Sequence, residues 1–150
     1  MVTGGDLEDS PFNGVWLHHD PPAGAVDATS GWAHFYSRRN AAAFSGPSVG
    51  DLDGDGAVDM IFRGFPDDCP NGDTSALYIA YGPIAGAIEV EALADRICGV
   101  DEDDDGVGTG AAFLGDPDGD GFDDFVFGSS PPWREYPGKA WVFRGAPRGR

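Results

Sequence analysis

The sequence predicts an all-β fold, and three observations lead to this prediction. The 150 residues include 24 glycines and 12 prolines, well above average usage, which indicates many turns and therefore short strands. No segment carries an apolar stripe with the helical period, and the best helical candidate, residues 88–97, is short and mixed. Hydrophobic residues make up 41% of the chain, which gives enough apolar surface for a folded core.

Short apolar or aromatic runs that end in a Gly/Pro turn occur three times, and a strand with its turn has this pattern. They are residues 15–24, 77–86 and 140–149, and their spacings are 62 and 63 residues. Aromatic residues recur at matching positions of these runs, and we expect them to pack between repeats. They are Trp16, Tyr78, Trp141 and Phe143.

An acidic, glycine-rich element lies between these strands and occurs twice, at residues 49–62 and 114–127, with a spacing of 65 residues. Each copy ends in an apolar run that predicts a strand, residues 60–62 or 125–127. Because two unlike elements share nearly the same spacing, the chain is built from repeats. A further strand is predicted at the end of each repeat, most clearly at residues 32–36.

Four antiparallel strands in a repeat of this length is the arrangement of a β-propeller blade. The sequence therefore predicts a partial blade at residues 1–36, a blade at 37–99 and another blade at 100–150. About two and a half blades result, whereas a propeller ring needs about four to eight. The chain is expected to be either a fragment of a longer repeat array or one of several copies in a homo-oligomer that completes the ring. Because the chain termini fall inside blades, the fragment is favoured.

Both acidic loops carry carboxylates at loop positions 1, 3, 5 and 9. These are Asp51, Asp53, Asp55 and Asp59 in the first loop and Asp116, Asp118, Asp120 and Asp124 in the second. Four carboxylates within nine residues repel one another unless a cation lies between them, and calcium accepts six to eight oxygens in a flexible geometry. The backbone carbonyls of Ala57 and Phe122, at position 7, are expected to add ligands. Gly56 and Gly121, at position 6, are expected to adopt positive φ.

Other ions fit these loops less well. Magnesium requires a tight octahedral geometry and keeps its waters. Transition metals prefer imidazole or thiolate, and neither occurs in the loops. The loops also differ from an EF-hand, because position 12 holds Phe62 or Phe127 instead of a bidentate glutamate and the flanks are apolar runs typical of strands. Acidic solvated turns without a metal are the structural alternative.

Residues 50–62 and 115–128 resemble FG-GAP repeats, and residues 106–112 are similar to the signature that names this family. The resemblance covers roughly residues 13–147, and a degenerate signature precedes the first loop at residues 44–47. FG-GAP repeats build the propellers of integrin α subunits and of many bacterial surface proteins. The resemblance implies an extracellular or cell-surface location, the eight loop aspartates as ligands of structural calcium, and a protein or glycan ligand bound in adhesion.

The formal net charge of −17 argues against binding to nucleic acid or to an anionic membrane surface. No apolar stretch is long enough for a transmembrane helix, and no signal peptide is visible at the start of the chain. No recognisable catalytic motif is present, so we expect no enzymatic activity. A spacer within a larger surface protein and an accessory domain of a secreted enzyme are the alternatives to a binding module.

Several other residues have more than one interpretation. Cys69 and Cys98 lie 29 residues apart in polar, loop-like contexts, which favours a disulfide over two buried thiols. Residues 101–105 have the acids of a third calcium loop, but Thr109 stands at position 9, which favours a solvated loop. Trp133 is a candidate ligand contact at a loop tip, but a packed loop anchor is the favoured interpretation, and Phe65 belongs to a second candidate patch.

Overall fold

The computed structural model describes residues 14–18, 31–37, 45–65, 69, 75–93, 95–99, 106–129 and 138–148. In these ranges the chain is all β, as the sequence predicts, with ten strands, one short 3-10 helix at Val90–Ala92 and no α-helix. The strands are β1 (Gly14–Leu17), β2 (Ala33–Tyr36), β3 (Ser45–Gly50), β4 (Asp59–Gly64), β5 (Ala76–Ala80), β6 (Gly86–Glu89), β7 (Arg96–Cys98), β8 (Gly110–Gly115), β9 (Asp124–Ser129) and β10 (Lys139–Phe143). No helix in these ranges has the length and hydropathy to span a membrane.

The ten strands form three open sheets. The central sheet has the order β3-β4-β5-β7 and is antiparallel throughout. It confirms the four antiparallel strands predicted for residues 37–99. The C-terminal sheet has the order β8-β9-β10 and is also antiparallel. In both sheets an acidic loop joins the first strand to the second.

The N-terminal sheet has the order β1-β2-β6 and departs from the expected pattern. β1 and β2 are antiparallel, which confirms the strand predicted near residues 32–36. β6, however, leaves the repeat that contains β5 and pairs in parallel with β2. Its pairing occupies an edge of β2 that would otherwise be open, and open edges are an aggregation liability. Neither this strand nor its parallel pairing was predicted from the sequence.

The central sheet is buried on both faces, because successive residues of a strand point to opposite sides. One face packs on the N-terminal sheet, where the ring centroids of Phe62 and Phe35 lie 5.0 Å apart. The other face packs on the C-terminal sheet. Its buried residues there include Ile61 and Ile79, which pack in one cluster with Phe125. The three sheets therefore stack face to face with two cores between them.

Two of the aromatic residues at matching repeat positions, Tyr78 and Trp141, pack in these cores as expected, whereas Trp16 lies in neither core. Tyr78 stacks on Phe62 with a centroid distance of 5.7 Å, and one repeat later Trp141 stacks on Phe127 at 5.2 Å. Phe143 stacks on a core phenylalanine but stays 43% exposed, so it lies at the edge of the core.

Cys69 and Cys98 form a disulfide, which confirms the pairing that the sequence favours. The bridge joins the segment after β4 to the end of β7, with 5.9 Å between the two Cα atoms. Residues 101–105 and Trp133 lie outside the described residues. Phe65 is half-buried, with the guanidinium of Arg63 lying 4.7 Å from its ring centroid.

Candidate metal centre

The first acidic loop joins β3 to β4. Its glycine at position 6, Gly56, has φ 82°, which confirms the sharp turn with positive φ that the sequence predicts. The turn brings three of the four predicted carboxylate ligands together. Asp51, Asp53 and Asp59 each offer an oxygen, and these oxygens lie within 4.8 Å of one another.

Asp59, the last acid of this loop, is fully buried at the start of β4. The backbone N–H of Gly82 donates to its Oδ1 and the N–H of Leu52 donates to its Oδ2, both at 2.7 Å. Burial raises the pKa of Asp59 above its usual range, and these two hydrogen bonds only partly oppose the effect. The charges of Asp53 and Asp51 raise the pKa further. A cation beside the three acids would therefore favour the ionised form.

Asp51, the first acid, is half-buried and has one unsatisfied oxygen. Its Oδ2 accepts a hydrogen bond of 3.0 Å from the N–H of Gly56, so the loop is closed on itself. Its Oδ1 is shielded from solvent and has no hydrogen-bond partner. A buried acceptor without a donor carries a desolvation cost of about 1–3 kcal/mol. A positive ion next to Asp51 would remove that cost.

Asp55 is not part of the group that the structure brings together. Its side chain is exposed, and its Oδ1 accepts a hydrogen bond of 2.7 Å from the N–H of Ala57. The N–H of Asp55 in turn donates to Oδ1 of Asp53 at 3.3 Å. Asp55 therefore shapes the loop in this structure, and its role as a ligand stays a prediction, as does that of the carbonyl of Ala57.

The second acidic loop joins β8 to β9 and repeats this turn. Asp116, Asp118 and Asp120 offer oxygens within 4.8 Å of one another, and all three are exposed. Asp116 accepts three backbone hydrogen bonds of 2.7–3.0 Å, from Gly119, Asp120 and Gly121. Gly121 has φ 92°, as predicted. The second group is therefore a better hydrated version of the first.

Asp124, the fourth predicted ligand of the second loop, is buried and stands outside this group. The N–H of Gly145 donates to its Oδ1 at 3.0 Å, just as the N–H of Gly82 donates to Asp59 one repeat earlier. Pro117 occupies the place of Leu52 and has no N–H to donate. Asp124 is thus held by fewer backbone donors than Asp59, and its role as a ligand stays a prediction, as does that of the carbonyl of Phe122.

A guanidinium lies on the second loop, and the sequence did not predict it. Arg144 pairs with Asp118 and with Asp120, at 3.4 Å to Oδ2 of the latter. The matching position of the preceding repeat is Tyr81, which has no positive charge. The repeat alignment could have revealed this substitution. Arg144 thus pairs with two of the three carboxylates that could hold a metal ion at the second loop.

The two acidic loops contact each other directly. The N–H of Asp51 donates to Oδ2 of Asp123 at 2.9 Å, and the N–H of Asp123 donates to the carbonyl of Asp51 at 2.8 Å. The ring of Phe122 lies against Gly54, where a Cβ atom would come within 2.6 Å of it. The residue of the first loop that matches Asp123 is Val58. The additional aspartate of the second loop was therefore the only sequence signal of this contact.

The donors in both groups are carboxylate oxygens, which are the ligands of hard divalent cations, and soft or imidazole donors are absent from the loops. The residues therefore fit calcium, and the first group fits it better because its acids are partly buried and carry no guanidinium among the contacts described. Comparisons of the chain with protein-family models, with curated proteins and with solved structures find no match, so the resemblance to FG-GAP repeats rests on the sequence alone.

Proposed function

We propose that the chain is a calcium-binding β-propeller segment of the FG-GAP type, which acts outside the cell as a binding or adhesion module and not as an enzyme. In this proposal calcium stabilises the loops that join the first two strands of each blade. The propeller arrangement is supported by three open sheets that stack face to face, two of which have an acidic loop between their first and second strands.

The observation that carries the calcium proposal is the shielded Oδ1 of Asp51. It has no hydrogen-bond partner, and Asp51 offers an oxygen that lies within 4.8 Å of oxygens of Asp53 and Asp59. Three negative charges at such distances repel one another, most strongly where water is excluded. A divalent cation removes this repulsion and also satisfies the orphaned oxygen, whereas a solvated acidic turn does neither.

The two loops are expected to differ in affinity. Calcium at the second loop must displace the guanidinium of Arg144 from Asp118 and Asp120, and this displacement costs part of the binding free energy. The position equivalent to Arg144 beside the first loop is Tyr81, whose side chain is neutral. Calcium therefore displaces no guanidinium at that position. The first loop is therefore proposed as the tighter site.

Isothermal titration with calcium, and with magnesium as the control ion, tests the proposal. Extracellular calcium modules bind with dissociation constants of about 0.1–1 mM, and we expect two sites in or below this range. Asp53→Asn keeps an oxygen that can accept the hydrogen bond from Asp55 but removes one charge, so it should abolish the tighter site only. Asp118→Asn is the matched variant for the weaker site, because its oxygen can still accept the hydrogen bond from Asp120. Equal binding of calcium by the wild type and by the double variant would contradict the proposal.

A further inference from the structure

The C-terminal sheet has an apolar face that no described part of the chain covers. Its Phe125 and Phe127 point into the core shared with the central sheet, so the alternate residues point outward. We call these the outer aliphatic face: Ala112, Leu114, Val126, Ala140 and Val142. Leu114 is 47% exposed and Val142 is 61% exposed. Ala112, Val126 and Val142 are direct cross-strand neighbours, so this face is continuous across three strands.

The same positions are core one repeat earlier. Val126 follows Ile61 by the 65-residue spacing of the acidic element, and Val142 follows Ile79 by the 63-residue spacing of the aromatic strands. Ile61 is 0% exposed and Ile79 is 6% exposed, because the C-terminal sheet covers them. The aliphatic face of the central sheet therefore has a covering sheet, and the equivalent face of the C-terminal sheet has none among the described residues.

The same repeat position holds an aromatic residue in both contacts between neighbouring sheets. Tyr78 of the central sheet packs toward the N-terminal sheet, and Trp141 of the C-terminal sheet packs toward the central sheet. Each stacks on a phenylalanine of its own sheet. Sheet stacking in this chain thus places the aromatic face of one sheet on the aliphatic face of the sheet before it.

The N-terminal sheet carries the matching aromatic face on its outer side. Phe35 points into the core, so the alternate residues of its sheet point away from it; we call these the outer aromatic face: Trp16, His34 and Tyr36. Trp16 holds the repeat position of Tyr78 and Trp141, is half-buried, and stacks on His34 with a centroid distance of 5.7 Å. The two ends of the stack are therefore complementary.

We propose that the outer aliphatic face binds the outer aromatic face of a second copy of this chain, head to tail. The contact would repeat, between chains, the sheet packing already present twice within the chain. Three sheets from each of two chains make six, which lies within the roughly four to eight blades of propellers, so two such contacts can close a ring. The inference rests on the propeller arrangement proposed above and is independent of the calcium sites.

Light scattering coupled to size exclusion, over a hundredfold range of protein concentration, tests this proposal. The wild type is expected to have the mass of two chains. Val142→Asp and Trp16→Lys place a charge on one face each and should give folded monomers by circular dichroism. Val49→Asp is the matched control, because Val49 is 54% exposed but lies on β3 of the central sheet. It should remain dimeric.

Mixing the two monomeric variants distinguishes binding between the two different outer faces from binding between two copies of the same face. Each variant keeps the face that the other has lost, so the mixture should form a one-to-one complex through a single contact, at higher concentration than the wild type needs. A wild type that is monomeric throughout, a Val142→Asp variant that stays dimeric, a Trp16→Lys variant that stays dimeric, or a mixture of folded monomers without a complex would each overturn the proposal. Calcium titration of the folded Val142→Asp monomer then reports on the metal sites separately.

Discussion

The backbone N–H of Gly82 donates a 2.7 Å hydrogen bond to Oδ1 of Asp59, which connects the turn after β5 to the last carboxylate of the first acidic loop. The same hydrogen bond recurs between Gly145 and Asp124 in the next repeat. The aspartate at loop position 9 therefore has a structural role in both repeats besides any role in metal binding. It fixes the aromatic strand of each repeat relative to its acidic loop.

Replacement of Asp59 by alanine should destabilise the protein more than the same replacement of Asp124, even without calcium. Asp59→Ala leaves two N–H groups without an acceptor, the buried one of Leu52 and the half-buried one of Gly82, whereas Asp124→Ala leaves only that of Gly145. Each orphaned donor costs about 1–3 kcal/mol. Urea unfolding with excess chelator measures the difference. Equal losses of unfolding free energy in the two variants would contradict this account of position 9.

Removal of Arg144 should strengthen calcium binding at the second loop. Arg144→Gln, made in the Asp53→Asn background so that only the second loop binds, should lower the calcium dissociation constant about two- to fivefold, because exposed ion pairs contribute about 0.2–1 kcal/mol. Arg148→Gln is the matched control, since Arg148 pairs with Asp95 and stacks on Tyr81 away from Asp118 and Asp120. Calorimetric titration gives both constants. Unchanged or weaker binding in Arg144→Gln would show that the guanidinium does not compete with the ion.

A methyl group at Gly50 should separate the central and C-terminal sheets. A Cβ atom there would lie 2.3 Å from the ring of Phe113, so Gly50→Ala should cost about 1–3 kcal/mol through overpacking. Gly110→Ala is the matched control, because nothing lies within 4 Å of a Cβ atom at that position of β8. Its effect should stay within about 0.5 kcal/mol. Thermal unfolding of the two variants compares them, and similar melting temperatures would contradict the sheet packing described.

Loss of the disulfide should weaken the central sheet. The bridge closes a loop of 29 residues, which corresponds to about 3–4 kcal/mol in the chain-entropy description. The double variant Cys69→Ala/Cys98→Ala should lose this amount in urea unfolding, and reductant should lower the stability of the wild type but leave the double variant unchanged. A double variant as stable as the oxidised wild type would refute a stabilising role for the bridge.

Features that lie within one repeat could be predicted from the sequence. The spacing of Asp51, Asp53 and Gly56 was enough to predict the first loop and its positive φ, because a tight turn constrains neighbouring residues directly. Short apolar runs likewise predicted β4 and β9. The disulfide was favoured because both cysteines lie in polar, loop-like contexts, and the structure confirms it.

Features that depend on how repeats stack could not be predicted in this way. The parallel pairing of β6 with β2 and the reciprocal hydrogen bonds of Asp51 with Asp123 both join segments from different repeats. A periodic sequence gives the order of strands but not which edge or loop of the next repeat each strand meets. Asp55 was expected among the ligands from its loop position alone, whereas the structure groups Asp51, Asp53 and Asp59 without it.

Thermal unfolding with calcium, with magnesium and with excess chelator tests the central claim most directly. At millimolar calcium a site with a dissociation constant of about 0.1 mM adds about 1.4 kcal/mol of stability. We predict that calcium raises the melting temperature of the wild type by several degrees, that magnesium does not, and that the Asp53→Asn/Asp118→Asn variant shows no rise. Coincident melting curves of the wild type in calcium and in chelator would contradict the claim that these loops bind calcium.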